Sequence, residues 1–259
     1  MPTKPLLTVR ELSKHYSGVT AVFDLSFEVK PRTIKSVIGP NGAGKTTLIN
    51  MVTGFQPPSG GEIVFDGHPI TGLRPHEVAA RGVARTFQTV ELFSNLTVLE
   101  NIMVGCHLKS SKGLISSALH LPGVGKEEME IRRRAHHFLD RVGLSEHARH
   151  LAGSLPLGEQ KLLEVARALA SGPKLLLLDE PASGLNERET SRAADMIAGI
   201  RAQGTTIILV EHDMKMVMSI SDEILVINFG SKIAEGPPDK IKRDPRVIEA
   251  YLGGEDQYA

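Results

Sequence analysis

Tryptophan is absent from the 259 residues, aromatics make up only 4% of them, and cysteine occurs once, at Cys106. With a single thiol no disulfide can form within the chain, which suits a reducing compartment and excludes a small disulfide-stapled scaffold. The scarcity of aromatics leaves Leu, Ile, Val and Ala to build the core. A hydrophobic share of 41% is enough for a sizeable one, in one large domain or one domain carrying a subdomain. An excess charge of either sign is also missing: 30 Lys and Arg balance 30 Asp and Glu. The chain as a whole therefore has no attraction to nucleic acid or anionic lipid, and any anion site must be local. Long apolar runs are lacking too. No pure aliphatic run is longer than Leu175 to Leu178, far below the roughly 20 residues that span a bilayer. The start, Met1-Pro-Thr-Lys-Pro5, is not followed by the apolar core of a signal peptide. The expectation is a soluble chain that partners must hold if it works at a membrane.

What is present is a patterned α/β sequence. Val22 to Val29 alternates, with Phe23, Leu25, Phe27 and Val29 on one face and Asp24, Ser26 and Glu28 on the other, as in a half-buried strand. Glu62 to Asp66 reads as a second strand before the turn residue Gly67, so an antiparallel β region is expected near the start. Ile34 to Ile38, Leu175 to Leu178, Thr206 to Val210 and Ile224 to Ile227 are aliphatic runs without alternation, which fits strands buried on both faces. Helical stretches lie between several of them: Lys45 to Thr53, and Glu187 to Gln203 with Ala193, Met196, Ile197 and Ile200 at helical spacing. Strand and helix in alternation predict a mostly parallel sheet. From Thr97 to about Ala170 there are helix patterns and loops but no convincing strand. Ile131, Ala135, Phe138 and Val142 share a helical face, and Lys109 to Gly125 reads as a loop. Residues 89–171 are expected to form a helical subdomain inserted in the α/β core.

The local anion site is Gly39-Pro40-Asn41-Gly42-Ala43-Gly44-Lys45-Thr46, followed by Thr47. It matches the P-loop pattern and stands between a strand and a helix. Glycines let the backbone wrap a phosphate with N–H groups inward, and the helix N-terminus adds its dipole. Lys45 is expected on the β- and γ-phosphates and the Thr46 hydroxyl on Mg²⁺. Leu175 to Leu178 ends in Asp179 and Glu180, the expected Walker B pair. Asp179 would bind the metal and Glu180 would polarise the attacking water. No Asn-Lys-x-Asp guanine signal is present, which disfavours a GTPase.

In order and spacing, the remaining motifs resemble those of the ABC transporter ATP-binding domain over nearly the whole chain, in particular the branched-chain amino acid importer group. The resemblance implies one ATP-binding domain over residues 1–259, with a P-loop NTPase core, an N-terminal antiparallel β subdomain and the inserted helical subdomain. It implies that Tyr16 stacks on adenine, that Gln88 is the Q-loop glutamine reaching Mg²⁺ and the water, and that Ser183-Gly-Leu-Asn186 is the D-loop. His212, in Val210-Glu-His-Asp213, would be the switch histidine. The signature segment departs from the family's Leu-Ser-Gly-Gly-Gln: here it reads Leu155-Pro-Leu-Gly-Glu159. Pro156 offers neither hydroxyl nor N–H, and Leu157 replaces a glycine. Leu157, Gly158 and Glu159 remain the nucleotide-binding candidates there, with the N–H groups of Gly158 and Glu159 as the two donors at a helix start.

Leu96-Thr-Val-Leu-Glu-Asn101, Ala234-Glu-Gly-Pro-Pro and Asp244-Pro-Arg-Val-Ile-Glu-Ala-Tyr-Leu-Gly253 resemble the branched-chain group. Urea, short-chain amide and lipopolysaccharide-export ATPases resemble it too. The implied cofactors are ATP and Mg²⁺. The implied partners are membrane-spanning permease subunits, a second ATP-binding subunit and, indirectly, a solute-binding protein, with no nucleic acid. The implied location is the cytoplasmic face of the inner or plasma membrane. A soluble ABC ATPase of translation or repair would usually fuse two such units or carry a long coiled coil, and neither is seen. His136, His137, His147 and His150 are not expected to form a metal site, since adjacent residues diverge on a helix.

Overall fold

The computed structural model describes residues 4–107 and 124–252. Two sheets organise them. The first is antiparallel and consists of β1 (Leu7–Tyr16), β2 (Val19–Val29), β4 (Gly60–Phe65) and β5 (His68–Pro69), in the order β2-β1-β4-β5. The second contains β3 (Ile34–Ile38), β6 (Val83–Arg85), β7 (Leu175–Asp179), β8 (Thr206–Val210), β9 (Glu223–Asn228) and β10 (Ser231–Gly236), in the order β10-β9-β3-β8-β7-β6. Every pairing in it is parallel except the β9–β10 hairpin. The expected fold class holds: an antiparallel sheet beside a mostly parallel α/β core. The aliphatic runs of β3, β7 and β8 are buried at every position, as strands covered on both faces require.

The helices are α1 (Lys45–Val52), α2 (Pro75–Ala80), α3 (Val98–His107), α4 (Val124–Val142), α5 (Leu157–Ala170), α6 (Glu187–Ala202), α7 (Met214–Ile220), α8 (Pro238–Ile241) and α9 (Pro245–Leu252). Apolar side chains of the first sheet, α1 and one face of the second sheet share a core. Leu176, Leu178 and Ile207 face the opposite way, onto Val165 of α5 and Ile197 and Ile200 of α6. A separate cluster joins α3, α4 and α5 through Ile102, Ala135, Leu139 and Leu163.

One expectation changes. Phe23 is 57% exposed and Val22 is fully buried. Asp24 has a left-handed backbone, φ 47°, and the β1–β2 register shifts beside it. The extra residue of such a bulge reverses the inside–outside alternation, so Leu25, Phe27 and Val29 keep the buried face and Phe23 leaves it. In α4 the expected face is observed: Ile131, Ala135 and Val142 are buried, and Phe138, partly buried, packs against the same cluster, which Leu139 joins. The loop expected over Lys109 to Gly125 lies mostly outside the described residues, and Val124 and Gly125 already belong to α4.

Because β3, β6, β7, β8 and β9 run parallel, their C-terminal ends converge on one edge of the core sheet. In an open α/β sheet the ligand crevice lies outside that edge. The segments Gly39 to Lys45, Arg85 to Gln88, Asp179–Glu180 and Glu211–His212 all emerge there.

Candidate functional site

β3 ends at Ile38, and the chain turns into α1 through three glycines whose φ angles are positive: 156° at Gly39, 79° at Gly42 and 100° at Gly44. Space as well as backbone demands glycine at two of them. A Cβ at Gly39 would lie 2.0 Å from the Ile227 carbonyl oxygen, and one at Gly44 would lie 2.5 Å from that of Ala21. Asn41, Gly42 and Thr46 are exposed, Pro40, Lys45 and Thr47 are half-buried, and Ala43 is buried. No side chain caps α1 and no acidic residue stands in its first turn. Its N-terminal N–H groups and dipole are therefore available to an anion. Lys45 Nζ donates to the carbonyls of Gly39, at 2.6 Å, and Pro40, at 2.9 Å. Burial lowers the Lys45 pKa, and the nearby carboxylates of Glu180 and Asp179 work against that shift. The P-loop lysine and the two acids at the end of β7 thus share one electrostatic field.

Asp179 is almost completely buried and is held by Arg85, whose Nη2 donates to its Oδ2 at 2.9 Å. Arg85 Nη1 reaches Asn50 Oδ1 on α1 at 2.6 Å, and the guanidinium lies 4.9 Å from the Phe87 ring centroid. Burial pushes the Asp179 carboxyl above its ordinary value, with Arg85 pulling the other way. Sequence reading missed Arg85. Its local signal is weak, because an arginine closing a three-residue strand has no mark of its partner.

Glu180 follows with a left-handed backbone, φ 51°, a conformation that costs a non-glycine residue of order 1–3 kcal/mol and is found at functional sites. Its backbone N–H donates to Val210 O at 2.9 Å, tying β7 to β8. Gln88 Nε2 donates to Glu180 Oε2 at 3.1 Å, and His212 Nδ1 stands 3.9 Å from the same oxygen. Gln88, Glu180 and His212, chosen from separate motifs, therefore meet at one carboxylate.

Two further acids organise this edge and were not singled out. Glu211 is buried, and its carboxylate accepts from the backbone N–H of Ala182 at 2.7 Å and of His212 at 3.1 Å. It joins the turn after β7 to the residue after β8. Its only sequence signal is a glutamate directly after the aliphatic run Ile207 to Val210. Glu164 of α5, also buried, accepts from the Phe87 N–H at 3.2 Å and so connects α5 to the segment leading into Gln88.

The other candidates lie elsewhere. Leu157, Gly158 and Glu159 form the first turn of α5 behind Pro156 as N-cap. A Cβ at Gly158 would come within 3.1 Å of Glu189, and one at Gly184 within 3.2 Å of Leu157, so this turn packs on the Ser183–Asn186 loop and the start of α6. No hydrogen bond among the described residues joins it to the P-loop. Tyr16 ends β1. It is 38% exposed, its hydroxyl donates to Gln56, and Lys14 Nζ lies 5.1 Å from its ring centroid.

The profile of the ABC transporter family matches residues 22–183, which holds the P-loop, Gln88, α5 and the Asp179–Glu180 pair. The chain belongs to the ABC transporter family. A second profile, described as the branched-chain amino acid ATP-binding cassette transporter, matches residues 231–257 of this ABC ATPase. The cassette is similar to the high-affinity branched-chain amino acid transport ATP-binding protein LivG of Escherichia coli (strain K12): 46% identical over 252 residues, covering 97% of this chain and 99% of the relative. BraF of Pseudomonas aeruginosa, also named as a high-affinity branched-chain amino acid transport ATP-binding protein, is 44% identical over the same shares. Among solved structures, a nucleotide-free ATP-binding cassette from an ABC transporter matches with a TM-score of 0.83 and 31% identity, covering 96% of this chain and 99% of that one. The ADP conformation of an ABC transporter cassette matches with a TM-score of 0.84 and 32% identity, covering 97% and 100%. No helix among the described residues is long and apolar enough to cross a membrane.

Proposed function

We propose that this ABC ATPase powers import of branched-chain amino acids or similar small polar solutes. Two cassettes would enclose two ATP molecules, each site using the P-loop of one chain and Leu157, Gly158 and Glu159 of the other. Thr46, Asp179 and Gln88 offer hydroxyl, carboxylate and carboxamide oxygens, the hard donors that suit Mg²⁺, and nucleotide phosphates would complete its shell. Glu180 polarises the attacking water, His212 contacts the γ-phosphate and Tyr16 stacks on adenine. Residues 89–171 move as one inserted helical subdomain, and a solute-binding protein acts through the permease subunits. The working location is the cytoplasmic face of the membrane, peripherally.

The observation that carries the transport reading is an apolar groove of about 750 Å³ beside Gln88, lined by Phe55, Phe87, Leu92, Phe93 and Val104 among others. It suits a short amphipathic helix from a membrane subunit, an apolar face laid in a groove. Gln88 links that groove to Glu180, so nucleotide state can reach the membrane partner and drive alternating access. The near full-length likeness to LivG supports the choice of solute. The test is reconstitution of the cassette with its permease subunits and binding protein in vesicles. Labelled leucine should accumulate only with internal access to ATP. Stimulation of the ATPase by another solute, with none by leucine, isoleucine or valine, would overturn the assignment.

A further inference from the structure

α5 turns one face inward, and Gly158, Lys161, Glu164 and Val165 are buried along it at helical spacing. A lysine on such a face is unusual, because an ammonium taken out of water needs a charge partner or a hydrogen bond. Lys161 is only 7% exposed. Its Nζ donates to the backbone carbonyl of Glu180 at 2.9 Å. Burial lowers the Lys161 pKa, and the nearby carboxylates of Glu211, Glu164 and Glu180 work against that shift.

The carbonyl that Lys161 holds belongs to the residue with the left-handed backbone, φ 51°. The Glu180 N–H is engaged by Val210 O, and the Glu180 carbonyl also accepts from the Ser183 N–H at 3.2 Å. A strained residue keeps its conformation only where its surroundings over-determine it. Here β8 fixes the N–H, while Ser183 and α5 fix the carbonyl. Relaxation of that φ would re-aim the Cα–Cβ bond and carry the carboxylate away from Gln88 Nε2 and His212 Nδ1. One turn along α5, Glu164 accepts from the Phe87 N–H ahead of Gln88. α5 therefore grips both segments that meet at this carboxylate, one with a cation and the other with an anion.

We propose that Lys161 is a positioning residue for Glu180: its ammonium fixes the Glu180 carbonyl, and with it the direction of the carboxylate. The proposal rests on the reading that Glu180 polarises the attacking water. Because Lys161 acts through Glu180, its loss falls on the chemical step and not on ATP affinity.

The experiment uses the full chain with Mg²⁺ and ATP. Lys161→Met keeps an unbranched side chain and removes the donor and the charge. Turnover at saturating ATP should fall about ten- to hundredfold, the scale of a catalytic group displaced by about 1 Å. The Kd of a non-hydrolysable imido analogue of ATP should stay as in the wild type. The deciding measurement is a double-mutant cycle with Glu180→Gln. If Lys161 acts through the Glu180 carboxylate, Lys161→Met should add less than about twofold to the loss that Glu180→Gln already causes, whereas independent faults would multiply. If Lys161→Met does not fold, Lys161→Gln, shorter and uncharged, runs the same cycle. Wild-type turnover in the Lys161 variant, a raised Kd with unchanged turnover, or losses that multiply would each overturn the proposal. Near-normal hydrolysis in Glu180→Gln alone would instead overturn the reading beneath it, and is told apart because there the glutamate itself is dispensable.

Discussion

Gln88 Nε2 and Glu180 Oε2 lie 3.1 Å apart, which joins the segment after β6 to the residue that follows β7. Movement of the Gln88 segment, carried by the groove above it, must therefore change the surroundings of this carboxylate.

Glu180→Gln removes the charge and keeps the shape. Loss of a general base typically costs about 10²–10⁴-fold in turnover. Steady-state hydrolysis should fall within that range while ATP binding survives, and the variant should collect as an ATP-bound dimer on size exclusion. Near-normal hydrolysis would remove Glu180 from the assigned role.

Arg85→Ala leaves Asp179 buried without its partner; both side chains of the pair are less than 10% exposed. Breaking a buried pair from one side costs about 3–5 kcal/mol. Urea unfolding should show a loss of that size. A loss below about 1 kcal/mol, the range of exposed pairs, would mean that water reaches Asp179.

Glu164 supplies a pH prediction. Burial pushes its carboxyl above the ordinary range, against hydrogen bonds from the backbone of Phe87 and Glu91 and the charges of Arg167 and Lys161. The native state then holds its proton to higher pH than the unfolded chain. Stability from this group falls as pH rises from the ordinary carboxylate value through the raised native one. Glu164→Gln should flatten that fall, with the melting temperature at neutral pH equal or higher. Thermal melts across the acid-to-neutral range check it, and a steeper decline in the variant would contradict it.

Phe93 is 51% exposed, while its backbone is pinned on both sides by Asn101: its N–H donates to Asn101 Oδ1 at 3.0 Å and its carbonyl accepts from Nδ2 at 3.1 Å. Phe93→Glu should therefore leave the fold and the ATPase of the free subunit intact. Transport in reconstituted vesicles should be lost, because a charge would enter a packed apolar contact. An unfolded variant would place Phe93 in the subunit's own core. Normal transport would place it outside the interface.

Local pattern alone determined the glycine-rich P-loop motif, the aliphatic strands and the acids at the end of β7. Each is written within a few consecutive residues: three glycines, a lysine and a threonine at fixed spacing, or an apolar run and then Asp179 and Glu180. The order of motifs likewise announced Gln88 and His212. Their meeting at one oxygen of Glu180 follows from parallel strands whose ends share one edge of the sheet.

Tertiary pairing decided the rest. Phe23 faces solvent because the bulge at Asp24 is set by the register of β2 against β1, which alternation within β2 does not record. Asp179 is neutralised by an arginine 94 positions away, and Glu211 became a junction only when β7 and β8 lay side by side. Tyr251 and Val247 joined Ile38 in one apolar cluster only when β9 paired with β3 and the C-terminal helix came back beside it. A side chain's residue type states what it can bond to. Which partner it meets depends on chain crossings far apart in sequence, and those are settled by how the sheet closes over its core.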